Sequence, residues 1–335
     1  MKVIKFFAIT AMAAAMITSC SNEDELSQSN YPSDNIIRVT AGVNNAKTRA
    51  EGAGTPLENP LSLTVVNKNV PKYTYVDQEF SKTSGDWACS ETLLWQKSDA
   101  LVDIVAFAPA QQGKFNGVYA NGSIQPIAYS VADDQSTKSD NNDLLYYYAK
   151  DFNPGESLDK GKLKIQFNHA FCMIDINVTL GTELNKPEVL KESPIVKVTL
   201  GGTKIAANVD VTNAASVVTA SEEAAATDIT TTKGSFTPAE NADKKADPEK
   251  NAISRFSCIA IPQTVAANTF KVSLMTAGKR YEWTSDKEIT LKSGYRYTLE
   301  LSMGNDVVLL KGGSDNGGIT ATPWGNGTDG SLETD

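Results

Sequence analysis

A single histidine, His169, is the whole imidazole content of this 335-residue chain. Any Ser-His-Asp or Cys-His arrangement would have to use it, yet it lies inside the hydrophobic run LKIQFNHAFCMIDINVTL (163–180) and not on a loop at a pocket mouth. Without a second His, Cys or Asp at ligand spacing it reads as a hydrogen-bonded wedge in a sheet. Cysteine is almost as scarce. Cys20, Cys89, Cys172 and Cys258 are widely spaced and form no CxxC, so neither a disulfide framework nor a zinc site of the usual spacing is expected. Buried free thiols are the reading for the last three, with one pair still able to form in an oxidising compartment. There is no GxGxxG, no Walker loop and no HExxH, and the acids of 133–143 (DDQSTKSDNND) lack EF-hand spacing, which leaves a solvated loop. A carboxylate pair is the one hydrolytic constellation that composition allows, and nothing singles out two among 40 acids. No catalytic residue, cofactor or metal ligand is therefore predicted. Positive charge is also in deficit: the net charge is -9 and the pI about 4.9, which excludes the electrostatic footprint of a nucleic-acid partner. A transmembrane helix needs roughly 20 apolar residues; the N-terminal run is shorter.

That run belongs to an address. Lys2 and Lys5 precede FFAITAMAAAMI (6–17), and Ile17-Thr18-Ser19-Cys20 then resembles the lipobox at which lipoprotein signal peptidase cuts. Residues 1–19 are read as signal peptide, with Cys20 as the lipidated first residue of the mature chain. Acyl chains at about 0.8 kcal/mol per buried CH₂ suffice to hold such a protein in the outer-membrane lipid without a spanning helix. The acidic run Ser21–Glu25 (SNEDE) reads either as a solvated linker or as resembling the export signal that sends Bacteroidetes lipoproteins to the outer face of the outer membrane.

The rest of the chain is strand, turn, strand. Ile37, Val39, Ala41 and Val43 share one face of a first strand, followed by Lys47-Thr48-Arg49-Ala50. Further strands are predicted at 61–65, 103–108, 143–149, 195–200, 205–211, 256–261, 270–275, 281–283, 289–291 and 295–303. In 163–180 the inward face changes parity near Ala170–Cys172, which a β-bulge explains. Residues 214–227 are Ala-rich with helical periodicity, in a low-complexity stretch that continues into a charged insert at 238–251. Short strands with turns every 8 to 12 residues or so argue for β-sandwiches, and the body is divided near residue 185, giving 50–185 and 186–335.

The lipobox, the early strand ending in KTRA, LLWQKSDALVDIVAFAP (93–109) with DLLYYYA (143–149), FNHAFCMIDINV, and LKSGYRYTLEL followed by ITATPW together resemble the fimbrillin family of Bacteroidetes pilus subunits. That resemblance implies an all-β fold of two tandem transthyretin-like Greek-key β-sandwich domains behind a lipoprotein signal peptide. It implies cleavage between Arg49 and Ala50 by an Arg-specific surface protease, after signal peptidase II has acted, so that residues 20–49 leave with the lipid and the strand. The vacated groove would take a donor strand from another pilin subunit, in a homo- or heteropolymer. The tail offers Val307, Val308, Leu309, Leu310, Ile319 and Ala321 as donor, around the Gly-rich 312–318; ordinary closing strands are the other reading. The implied location is the outer-membrane surface and, after processing, the fimbrium; stalk, anchor and tip roles stay open. A surface glycan-binding lipoprotein remains as an alternative, and would present Trp87, Trp95, Tyr146, Tyr147, Tyr148 and Trp324 as an exposed platform.

Overall fold

The computed structural model describes residues 30–44, 55–311 and 319–324, and these are nearly all β. An eight-stranded sheet runs in the order Thr55–Pro56, Val39–Val43, Leu163–His169, Leu145–Phe152, Val102–Ala108, Leu61–Asn67, Tyr75–Thr83, Asp86–Cys89. Its central strands Val102–Ala108 and Leu61–Asn67 are buried at every position, because both faces are covered. Ile104, Ala106 and Ala108 face a smaller core with Leu61, Leu163 and Phe167, whereas Val105 and Phe107 face a larger one. The only acid of Val102–Ala108, Asp103, is satisfied by Lys68 Nζ at 2.9 Å and by the Asp151 N–H at 2.9 Å.

The larger core lies mainly between two further sheets. One contains Thr232–Thr237, Ile253–Ala260, Cys172–Leu180 and Tyr295–Met303, with Val308–Leu310 and Thr320–Pro323 both paired along the outer edge of Tyr295–Met303. The other runs Ile229–Thr230, Ile195–Gly201, Lys271–Thr276, Arg280–Thr284. Alternate residues of each meet, Ile174, Ile176 and Leu299 from the first with Val198, Leu200 and Val272 from the second.

The parity change in 163–180 is not a bulge. Leu163–His169 ends in the eight-stranded sheet, and Cys172–Leu180 starts between Ile253–Ala260 and Tyr295–Met303 in the next. Ala170 and Phe171 make the hand-over, both fully buried, with the Ala170 N–H donating to Leu144 O and Phe171 O accepting from Gly294. The division expected near residue 185 falls in the loop after Cys172–Leu180, whereas the chain changes sheet at Ala170–Phe171. Residues 214–227 hold no helix. Val218–Ala220 pairs with Ala206–Val209, where β-branched Val218 and Thr219 favour extended backbone over the Ala-rich periodicity. The 133–143 loop is not simply solvated: Gln135 is buried and its amide both accepts from Ile259 N–H (2.8 Å) and donates to Ile259 O (2.9 Å). Cys89, Cys172 and Cys258 are free thiols, and burial pushes those of Cys172 and Cys258 far up.

Candidate assembly interface

The first strand is held on both edges. Val39–Val43 runs parallel to Leu163–His169 in the register Val39↔Leu163 to Val43↔Phe167. Leu163 N–H donates to Arg38 O at 2.7 Å, and Asn44 N–H donates to Phe167 O at 2.8 Å. On the other edge Gly42 and Val43 pair with Pro56 and Thr55. The lead-in pairs with 93–95, through Ile37 N–H to Leu93 O (2.9 Å) and Trp95 N–H to Asn35 O (2.8 Å).

Side chains complete the seat. Ile37 and Val39 are 4% and 3% exposed, and Ala41 and Val43 are half-buried against the smaller core. The pocket beneath is built by Leu93, Trp95, Leu163, Ile165 and Phe167. Trp95 Nε1 is buried there without a partner among the described residues. Outside, Asp34 grips Arg38 through both oxygens (3.0 and 2.6 Å) and accepts from Ile36 N–H, and these bonds hold its carboxyl at about 2. Cys20, Arg49 and Ala50 lie outside the described residues.

The tail segments are bound differently. Val308–Leu310 pairs with Leu301–Met303 and Thr320–Pro323 with Tyr295–Thr298, each along one edge only among the described residues. Val308 and Ile319 are buried and Leu310 is half-buried, but Val307 and Leu309 are 50% and 58% exposed, and Ala321 is exposed. Tyr297, opposite Ala321, has its hydroxyl pushed up to about 12 by burial.

Trp324, the residue after Thr320–Pro323, meets the lone histidine. Trp324 stacks on the His169 ring, with centroids 3.9 Å apart and planes within 5°, while His169 Nδ1 meets Asp143 Oδ1 at 2.9 Å. His169, the last residue of Leu163–His169, thus contacts the residue that follows Thr320–Pro323. It is the wedge that the sequence suggests, with one partner, Trp324, that no spacing rule reveals. Trp324 also lies in the wall of a cavity of about 660 Å³ shared with Asp143 and Arg296, so one side of the clasp is open.

The six aromatics considered for a glycan platform do not form one. Trp95 is buried and the other five are half-buried. Tyr146 and Tyr148 turn to the larger core, Tyr147 to the smaller, as alternation within one strand requires. Among the described residues no group of three or more His, Cys, Asp or Glu gathers as a metal site.

A family model described as fimbrillin-like matches residues 42–324. No curated protein gives a significant sequence match. Several solved structures share the fold. A cell adhesion protein, so titled, from Bacteroides ovatus superposes with a TM-score of 0.59 at 16% identity, over 86% of this chain and 97% of that one. A fimbrial protein from Bacteroides vulgatus gives 0.53 at 15%, over 86% and 99%. The C-terminally truncated tip fimbrial protein Mfa3 from Porphyromonas gingivalis gives 0.50 at 10%, over 86% and 99%.

Proposed function

The chain belongs to the fimbrillin-like family, and from that premise we propose that it is a structural subunit of a cell-surface fimbria with a role in adhesion. In this reading it is exported as a lipoprotein on Cys20, cut between Arg49 and Ala50 by an Arg-specific surface protease, and polymerised by strand exchange with other subunits. Signal peptidase II and outer-membrane lipid are its partners before cutting, and the fimbrium is its final location.

One observation carries the reading: the strand just ahead of Arg49 fills a seat with partners on both sides. Val39–Val43 pairs in parallel with a strand far along the chain and not through a hairpin, so a segment of another chain can take its place without rerouting the fold. Ile37 and Val39 each bury a side chain worth about 1.5–3 kcal/mol, and each ladder bond adds about 0.5–1.5 kcal/mol. Loss of the strand would expose Leu163, Ile165 and Phe167 together with the free N–H and C=O groups of an edge. Such an edge is a template for an incoming strand. Donor and groove are different surfaces, so the contact propagates as a filament.

Incubating the soluble body, starting at Ser21, with an Arg-specific protease tests this. The expected result is a new N-terminus at Ala50 and SDS-resistant ladders. A body cut at Ala50 that remains monomeric would refute polymerisation by strand exchange.

A further inference from the structure

We propose that the cavity between the 133–143 loop and the outer face of the sheet holding Cys172–Leu180 and Tyr295–Met303 binds a sugar that carries one carboxylate, a uronic or sialic acid at the end of a glycan. The adhesive role proposed above gains a ligand class from it. The cavity itself is present in the uncut chain, whether or not strands exchange.

The cavity is built before any ligand arrives. Its volume of about 660 Å³ lies in the range of about 300–1,000 Å³ usual for small-molecule sites. The loop that forms one wall is pinned along its length. Gln135 makes both of its amide bonds to Ile259, and the Tyr129 hydroxyl donates to Asn141 O at 2.6 Å. Asn142 Oδ1 accepts from Ala132 N–H at 2.8 Å, and Asp140 Oδ2 accepts from the Asn59 amide at 3.0 Å. The facing wall is Trp324, fixed by its stack on His169, and the floor carries Met173 and Arg296, opposite each other on adjacent strands. A ligand entering such a site orders few side chains, and this lowers the cost of binding.

Arg296 selects the charge. Asp175 accepts from its Nε, while Nη1 and Nη2 have no partner among the described residues. A guanidinium held at one edge with the other unpaired fits a carboxylate through two parallel bonds. Lys138 and Lys233, exposed on the same cavity, also lack a partner among the described residues.

The remaining groups ask for hydroxyls. Asp140 and Asp143 line the cavity with one oxygen each already bonded, to Asn59 and His169, and the other unpaired. They repel a polyanion or an acidic peptide and accept from hydroxyl donors. Asn142, 6% exposed and with Oδ1 occupied, leaves its Nδ2 as an unpaired donor on the same wall. Trp324 adds an apolar surface for the C–H face of a pyranose ring. One carboxylate, several hydroxyls and an apolar face together describe an acidic sugar.

The test is an NMR titration of the uncut chain, starting at Ser21, with glucuronic acid, N-acetylneuraminic acid, glucose and triglutamate. The two acidic sugars should shift the Trp324 indole N–H saturably, with half-saturation at about 1–10 mM, and glucose and triglutamate should bind about tenfold more weakly or less. Arg296→Lys keeps the charge beside Asp175 but loses the fork, and should weaken glucuronate binding about tenfold; Lys233→Ala should weaken it about twofold. No saturable shift with either acidic sugar overturns the site. Glucose bound as tightly as glucuronate overturns the carboxylate fork, and triglutamate bound as tightly overturns the sugar in favour of a peptide. A parent that takes the sugar but never polymerises after cutting removes strand exchange alone, and a parent that polymerises but takes no acidic sugar removes this proposal alone.

Discussion

The first strand, V-T-A-G-V at 39–43, and the tail run I-T-A-T-P at 319–323 open with the same three residue types and are bound in opposite ways. Val39–Val43 has partners on both edges and sits on a core that covers Val39 almost completely. Thr320–Pro323 has one partner strand among the described residues, and its grip comes from the residues flanking it, Ile319 and Trp324. Residue type alone thus does not decide how tightly a short strand is held. The number of edges paired and the depth of the seat decide it.

The sharpest way to break the comparison is to put the same charge at an inward place in each strand. Val39→Asp buries a carboxylate with no cation among its core neighbours, and should destabilise the uncut protein by about 3–5 kcal/mol in urea unfolding. Ala321→Asp, exposed in the free subunit, should cost about 0.5 kcal/mol or less. Equal losses at the two places would mean that the tail is held as firmly as the first strand.

A middle-sized effect belongs to the clasp. A stacked aromatic pair is worth about 0.5–1.5 kcal/mol beyond its buried area, so Trp324→Ala or His169→Ala should loosen the tail by that order without reaching the first strand. Hydrogen exchange reads this directly. The amide of residue 324, which donates to Gly294 O, should exchange about tenfold faster in His169→Ala, while that of Ile37, bound to Leu93 O, should be unchanged. Acceleration at Ile37 would show instead that His169 supports the eight-stranded sheet as a whole. Asp143 faces His169, so Asp143→Asn should give a smaller effect of the same sign.

Much of this was legible in the residues. The alternation of 37–43 and of 295–303 identifies strands with their buried faces, and the one-residue change of phase in 163–180 marks a real event at Ala170–Phe171. Its meaning was not legible, because a bulge and a transfer between sheets shift parity identically, and only the partners tell them apart. The same limit hid the His169–Trp324 stack, a contact between residues far apart in the chain. The fully buried run Val102–Ala108 could be read as a strand, but its service to two cores depends on the excursion carrying Phe115, Ile127 and Tyr129 that covers its second face. Gln135 was missed because an acidic loop looks solvated until the buried Ile259 backbone it satisfies is known.

The smallest effect separates the two strands by pH. Asp34 sits at the entry to the first strand with its carboxyl held at about 2, chiefly by the Arg38 guanidinium and then by the Ile36 N–H. Its ordinary value, as in the unfolded chain, is near 3.8. The folded state therefore binds this proton less readily, and the stabilisation that Asp34 contributes is present above the unfolded value and is lost as pH falls from there toward about 2. The pair is exposed to solvent, so salt should shrink the effect further. The tail residues Ile319–Trp324 contain no ionisable side chain, and offer no counterpart of their own. In an NMR titration the Ile36 amide proton, which donates to Asp34, should shift with an inflection near 2 that Asp34→Asn abolishes. An inflection at the ordinary carboxylate value would mean that Arg38 does not grip Asp34 in solution, and that the first strand is held by its edges and its buried face alone.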